Sequence, residues 1–451
     1  MLRSDELARP RFALVLVPLA LAARAVCCVL TVAPDRDTAN YVSMARDFVA
    51  GDWRLALAEP FPPLHPLLLA IGSFWTEDNV VRWRVGQVLT IAFSCVALMW
   101  MVRAARETFG PMTAWIAGVW FALGMLPSWL CADAMSEPLF QLLAVGWILA
   151  RLSGRPRLAA AFAGLSFVTR LEGSVLVVAS VACALRERAW RPGLAVLTLA
   201  LVPGAIYLGL RSVATGHFEL LPKIRFMQPV SSFGATGAAA VAARYLRELA
   251  QFLGQGFDGL GYLALPGLLF GLLLLWRSDL HAQWARTTLL ALAALLVVPT
   301  FFANRRFWTP WLPLLLPVAA FPFAQLLARR RALTVGLVAL GLLPHAARLV
   351  RTRRASLAGD RAVGTDLAEA LAVDAGIASD LPRLVFFAGR RALPARSITA
   401  HELMGQASLS ETRAVVSLVK RAKLDVPRLR ALGYHLATLS IPNRGLVLYR
   451  R

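Results

Sequence analysis

Apolar runs of membrane-spanning length recur through the first 350 residues, and they constrain the fold more than any other feature of the chain. A helix needs about 17–25 predominantly apolar residues to cross the hydrocarbon of a bilayer. Only helices and closed barrels can satisfy their own backbone there. The runs fall at 12–32, 80–102, 112–130, 137–150, 158–185, 193–210, 260–276, 288–302, 308–327 and 332–344. Composition agrees, with 58% of residues hydrophobic, only 16% charged and a mean hydropathy of +0.61. Soluble domains carry about 25% charged residues. No low-complexity tract, Gly-X-Y period or charged heptad pattern is present, which excludes disordered, collagen-like and coiled-coil chains.

The charge balance is strongly basic, 48 Lys+Arg against 26 Asp+Glu for a formal +22. Only Lys223, Lys420 and Lys423 are lysines. Many of the arginines cluster between apolar runs, as in loops retained on the cytoplasmic side and facing anionic lipid. No basic module interleaved with aromatics is visible, so no nucleic-acid partner is expected. Arg3, Arg9 and Arg11 place the N-terminus in the cytoplasm, with the first run retained as a helix; a cleaved signal peptide would show the same pattern. Cys27, Cys28, Cys95, Cys131 and Cys183 all lie in or beside apolar runs without metal-ligand spacing and read as small hydrophobes.

Orienting the runs by these clusters predicts an all-α polytopic membrane domain of about eleven transmembrane helices. The first outer loop, 34–79, is too long for a simple connection. It should hold a helix near 38–50, where Tyr41, Ala45, Phe48 and Val49 repeat at helical spacing. Residues 131–136 form an outer turn, and 158–185 read as two short helices meeting at 170–173. A second outer loop covers 211–257. An odd number of spans leaves the C-terminus outside. From residue 351 no apolar run reaches spanning length, and a small α/β domain is expected over 351–451, with strands at 384–388, 435–439 and 445–449 and helices at 364–373 and 412–420. The domain boundaries are thus 1–350 and 351–451. No fixed-period repeat is present, and no matched pair of broken helices marks an inverted-repeat transporter.

Charged groups in or near a bilayer are costly enough to be functional candidates. On the outer side these are Asp35 and Asp37 after the first run, Asp133 and Glu137 at the outer turn, Arg170 and Glu172 between the two short helices, and Arg305 and Arg306 before the run at 308–327. In a bundle they would face one outer cavity, with carboxylates that could serve as a base and arginines that could hold a phosphate. Each also has a structural reading. Asp35 could be solvated, Glu137 could favour a helix N-terminus, Arg170 could pair with Glu172, and Arg305 and Arg306 could reach headgroups. His65 in the proline run reads as a packed histidine. No His/Asp cluster marks a metal site.

The stretch Asp35-Arg36-Asp37-Thr38-Ala39-Asn40-Tyr41, followed by Gly51-Asp52-Trp53 and Pro62-Pro63-Leu64-His65-Pro66, resembles the start of the polytopic GT-C glycosyltransferases. The nearest group looks like the bacterial family-39, protein-mannosyltransferase-like enzymes, which include the aminoarabinose transferases of lipid A. Met135-Ser136-Glu137-Pro138-Leu139-Phe140, the segment Gly164 to Gly173, and Arg305-Arg306-Phe307 with Pro310 and Pro313 are similar to later motifs of that group, in order. Phe386-Phe387-Ala388-Gly389-Arg390-Arg391 is similar to its aromatic-Gly-Arg segment.

The resemblance implies a transferase that takes a sugar from a polyprenyl-phosphate donor on the periplasmic face of the inner membrane and passes it, with inversion, to a lipid, glycan or protein acceptor. Asp37 matches the family's catalytic acidic position, where as a base it would deprotonate the acceptor hydroxyl, and Tyr41 would sit beneath it one helical turn on. Asp133, Glu137, Arg170, Glu172, Arg305 and Arg306 would bind substrate. No cofactor is implied; metal use varies in the class, which leaves a divalent cation open. The chain departs from the family at Thr38, at Leu171 and at Phe61, where aminoarabinose transferases carry lysine, and this argues against aminoarabinose as the sugar. A transporter or flippase of polyprenyl-linked glycan is the alternative from another class.

Overall fold

The computed structural model describes residues 11–31, 34–186, 190–219, 238–260, 264–275, 282–295, 305–330 and 336, then 376–379, 386–387, 391–392, 412–418, 435–437 and 446–450. The run at 332–344, except residue 336, and the helix expected at 364–373 lie outside the described residues. In chain order the helices are α1 (Arg11–Leu30), α2 (Arg36–Val49), α3 (Trp53–Ala58), α4 (Leu64–Gly72), α5 (Asn79–Phe109), α6 (Pro111–Leu123), α7 (Met125–Ala132), α8 (Glu137–Leu152), α9 (Pro156–Phe167), α10 (Ser174–Arg186), α11 (Trp190–Thr215), α12 (Ala238–Leu260), α13 (Ala264–Leu275), α14 (Ala282–Leu295) and α15 (Leu312–Arg329). Two 3-10 segments, Leu171–Gly173 and Arg305–Trp311, lie between α9 and α10 and before α15. The chain forms two units, one from Met1–Leu30, Thr90–Gly209 and Glu219–Thr352, the other from Thr31–Leu89, Leu210–Phe218 and Arg353–Arg451.

The first unit is helical. Among the described residues, three helical stretches, Asn79–Phe109, Gly193–Thr215 and Arg306–Leu327, are long and apolar enough to cross a membrane. The stretch Gly193–Thr215 has a mean hydropathy of 2.0 with only 22% of its apolar window buried, so its apolar side chains face outward, as a lipid-facing helix requires. The single span expected at 112–130 is instead the pair α6 and α7, bent by 45° at Gly124. Pro127 explains the break, because proline cannot donate to residue 123 and its ring crowds that carbonyl. The carbonyls exposed at the end of α6 are taken up by Arg24 of α1. This arginine has no exposed surface and donates to Ala122 O (3.0 Å), Phe121 O (3.3 Å), Ala20 O (3.1 Å) and Ser94 Oγ (2.9 Å).

The break expected at 170–173 is present. α9 ends at Phe167 and α10 starts at Ser174, with the short 3-10 turn between them. Gly173 is required there, because a Cβ would come within 2.3 Å of the Ser166 carbonyl carbon. Within 211–257, where a second outer loop was expected, α11 continues to Thr215 and α12 occupies Ala238–Leu260. Polar residues interrupt the apolar run of α12, but Phe252 and Gly256 recur one turn apart on a face that meets Trp308. Trp308 stacks on Phe252 with ring centroids 5.2 Å apart and donates from Nε1 to Phe252 O (3.2 Å). Two more buried indoles find acceptors, Trp147 in Ser180 Oγ (2.8 Å) and Trp284 in Leu314 O (2.8 Å).

The second unit joins Thr31–Leu89 and Leu210–Phe218 to the C-terminal segment. α2 packs on α3 and α4, and α2 falls where the helix at 38–50 was expected. Arg211 donates to the carbonyls of Leu57 (2.7 Å) and Glu59 at the end of α3. Asn79 Nδ2 donates to Phe386 O (3.2 Å), and the Phe386 ring meets Trp83 edge-on at 6.3 Å. The C-terminal segment holds a five-stranded sheet of β1 (Gly376–Ser379), β2 (Arg391–Ala392), β3 (Thr412–Leu418), β4 (His435–Ala437) and β5 (Leu446–Arg450), in the order β2-β1-β3-β5-β4. β1 runs parallel to β2 and β3, while β5 runs antiparallel to β3 and β4. β4 and β5 fall where strands were expected. Residues 412–418 form a strand rather than a helix, because pairing on both sides and Val415-Val416 favour extension over local helical periodicity. Phe386 and Phe387 are helical where a strand was expected.

Candidate active site

Two groups of the residues singled out in the sequence are built locally, one in each unit. In the first unit, the turn after α7 has the only positive φ at a non-glycine among the described residues, Ala134 at 52°. Such a backbone is uncommon for a residue with a Cβ. The turn is closed by Met135 N donating to Leu130 O (2.9 Å) and leads into Ser136, the N-cap of α8. Pro138 in the first turn starts the helix without wasting a donor. Glu137, the first helical residue, is completely buried.

Two guanidinium groups share the Glu137 carboxylate. Arg170 Nη1 lies 2.9 Å from Oε1, and Arg306 Nε donates to the same oxygen. Arg170 also donates to Ser136 Oγ (3.2 Å) and, through Nη2, to Glu172 Oε1 (2.7 Å). Arg306 Nη2 lies 3.8 Å from Met135 Sδ. Glu137, Arg170, Glu172 and Arg306 thus form a charge-balanced cluster at the junction of α8, the 170–173 turn and the 3-10 segment Arg305–Trp311. One turn further along α8 the same segment is held again, by Gln141 Nε2 donating to Thr309 O (2.8 Å) and by Phe140 against Trp311 at 5.2 Å. Glu137 Oε2 is buried with no hydrogen-bond partner among the described residues. Asp133, the C-cap of α7, is half-buried. Arg305 opens the 3-10 segment, and its side chain lies outside the described residues.

In the second unit Asp37 lies in the first turn of α2, where a carboxylate is favoured by the helix dipole. It is half-buried. Tyr41 follows at i+4, on the same helix face. The Tyr41 ring is enclosed by two others from the proline-rich stretch, Phe61 at 5.2 Å and 77° and His65 at 5.1 Å and 81°, both edge-on. His65 is therefore packed, as its place in the proline run suggests. Phe61 was noticed in the sequence only as a departure from a family pattern; its contact with Tyr41 is a finding of the structure. Arg24 escaped notice altogether, although an arginine inside the run 12–32 is a visible signal.

The chain shares its fold with membrane proteins of known structure. It matches the crystal structure of ArnT from Cupriavidus metallidurans bound to undecaprenyl phosphate over 97% of this chain and 97% of that one, with a TM-score of 0.61 and 14% identity. The apo form of the same protein matches with the same coverage, a TM-score of 0.59 and 15% identity. The oligosaccharyltransferase of Archaeoglobus fulgidus, in complex with zinc and sulfate, matches 96% of this chain and 73% of its own, with a TM-score of 0.54 and 11% identity. Similarity at these identities is a similarity of fold. No protein-family model and no curated protein sequence matches the chain.

Proposed function

We propose that the chain is an integral membrane glycosyltransferase that takes a sugar from a polyprenyl-phosphate donor and passes it to an acceptor on the periplasmic side of the inner membrane. The observation that carries this reading is the end-to-end likeness of fold to a protein solved with undecaprenyl phosphate bound. The architecture that goes with it is the one expected from the sequence: about eleven spans over residues 1–350, the N-terminus in the cytoplasm, and the segment 351–451 as a small α/β domain outside. Lipid, glycan or protein could serve as acceptor, and Phe61 in place of the lysine of aminoarabinose transferases argues against naming aminoarabinose as the sugar.

Asp37 is the general base in this reading. It takes the proton of the acceptor hydroxyl as that oxygen bonds to the anomeric carbon. The bond from that carbon to the phosphate breaks on the opposite face, polyprenyl phosphate leaves, and the configuration inverts. A carboxylate is a competent base for this step because it need only accept a proton while the nucleophile is already attacking. Arg170 and Arg306 are engaged by Glu137 and Glu172 in a balanced cluster. We therefore assign these residues to holding the 3-10 segment Arg305–Trp311 in place.

Transfer from a radiolabelled polyprenyl-phosphate sugar in proteoliposomes tests the proposal. The Asp37→Asn variant should fold and lose on the order of 10²–10⁴-fold in turnover. Unchanged turnover in the variant would overturn the base assignment. Absence of turnover in the wild type with every donor tried would overturn the transferase reading and favour transport of a polyprenyl-linked glycan.

A further inference from the structure

We propose that Phe61 and His65 are positioning residues that act on Asp37 through Tyr41, an inference that rests on the assignment of Asp37 as the base. Asp37 and Tyr41 are four residues apart on α2, so the ring and the carboxylate share one helix face and move together with the helix. Tyr41 is 2% exposed, Phe61 5% and His65 1%. Both neighbouring rings meet Tyr41 near the perpendicular, at 77° and 81° and at almost equal distances. An edge-on pair is directional, because the positive edge of one ring seeks the negative face of the other. Two such contacts on one ring fix its roll about the α2 axis as well as its depth.

The two clamping rings sit four residues apart, on either side of Pro62-Pro63, and the prolines restrict the backbone between them. His65 lies in the first turn of α4, which packs against α2. The clamp is therefore built into the junction of the proline-rich stretch with α4 and leaves α2 one seating. A base must lie within hydrogen-bond reach of the proton it removes, and a misplacement of about 1 Å can cost on the order of 100-fold in rate. The clamp holds the first turn of α2, and with it Asp37, to that tolerance. A clamp that serves Asp37 alone should show its loss in kcat rather than in KM.

Steady-state kinetics with the donor that supports wild-type turnover tests the inference on Phe61→Leu, Phe61→Tyr and His65→Gln. Phe61→Leu keeps the apolar volume and loses the ring, and should lower kcat on the order of 10–100-fold with the donor KM within about twofold. Phe61→Tyr keeps the ring and should restore most of the rate. His65→Gln provides the second edge and should behave like Phe61→Leu, which keeps the test open if either variant folds poorly. Wild-type kcat in a folded Phe61→Leu or His65→Gln variant overturns the clamp, as does a loss carried wholly by KM. An active Asp37→Asn variant would instead overturn the base assignment, so the two failures are distinguishable.

Discussion

Glu137 has no exposed surface, yet one of its oxygens receives two guanidinium groups. Removing the charge from such a site leaves the arginines without their shared counter-ion in a poorly solvated place. Breaking a buried pair from one side costs about 3–5 kcal/mol. Glu137→Gln should lose stability of that order, measured as thermal unfolding in detergent. The double variant Glu137→Gln/Arg306→Gln should lose less than the two single losses added, with a coupling of about 0.5–3 kcal/mol. Additivity would show that the pair does not interact. The residue types of this cluster were legible in the sequence because charges beside apolar runs are rare. Their partners were not, since Glu137 and Arg306 are 169 positions apart and nothing local joins them.

Elements were legible where a single physical signal decided them. The break at 170–173 showed as charge inside an apolar stretch, and α2 showed as apolar spacing in a polar loop. The bend at Gly124 was missed because apolar composition runs through it unchanged, and only Pro127 marks it. α12 was missed because half its surface is polar, and β3 because its partners on either side, β1 and β5, are set by the sheet rather than by its own seven residues. Glycine substitutions separate tight elements from open ones. Gly173→Ala places a Cβ against the Ser166 backbone, which cannot swing aside as a side chain can, and should cost about 1–3 kcal/mol. Gly209→Ala, in α11 with nothing within 4 Å of the added carbon, should be neutral or stabilise by up to about 1 kcal/mol. Thermal unfolding of the two variants side by side checks the contrast; equal losses would mean that the close approach at Gly173 is not maintained.

For the molecule as a whole, the sidedness of the C-terminal segment is the most direct check on the span count. An alkaline phosphatase reporter attached after Arg351 should be active and a cytoplasmic reporter at the same place silent; the reverse would require an even number of spans. Arg24 adds a consequence of a different kind, one of timing. Its partner at Ser94 comes 70 residues later, and those at Phe121 and Ala122 come 97 and 98 residues later. If α1 enters a bilayer before those partners are made, its guanidinium has only the Ala20 carbonyl of its own helix (3.1 Å) to bond, and an arginine near a helix centre costs about 2.5–3.5 kcal/mol there. Its other apolar residues must offset that cost alone. On that order of events α1 would reach its final stability only when α6 arrives.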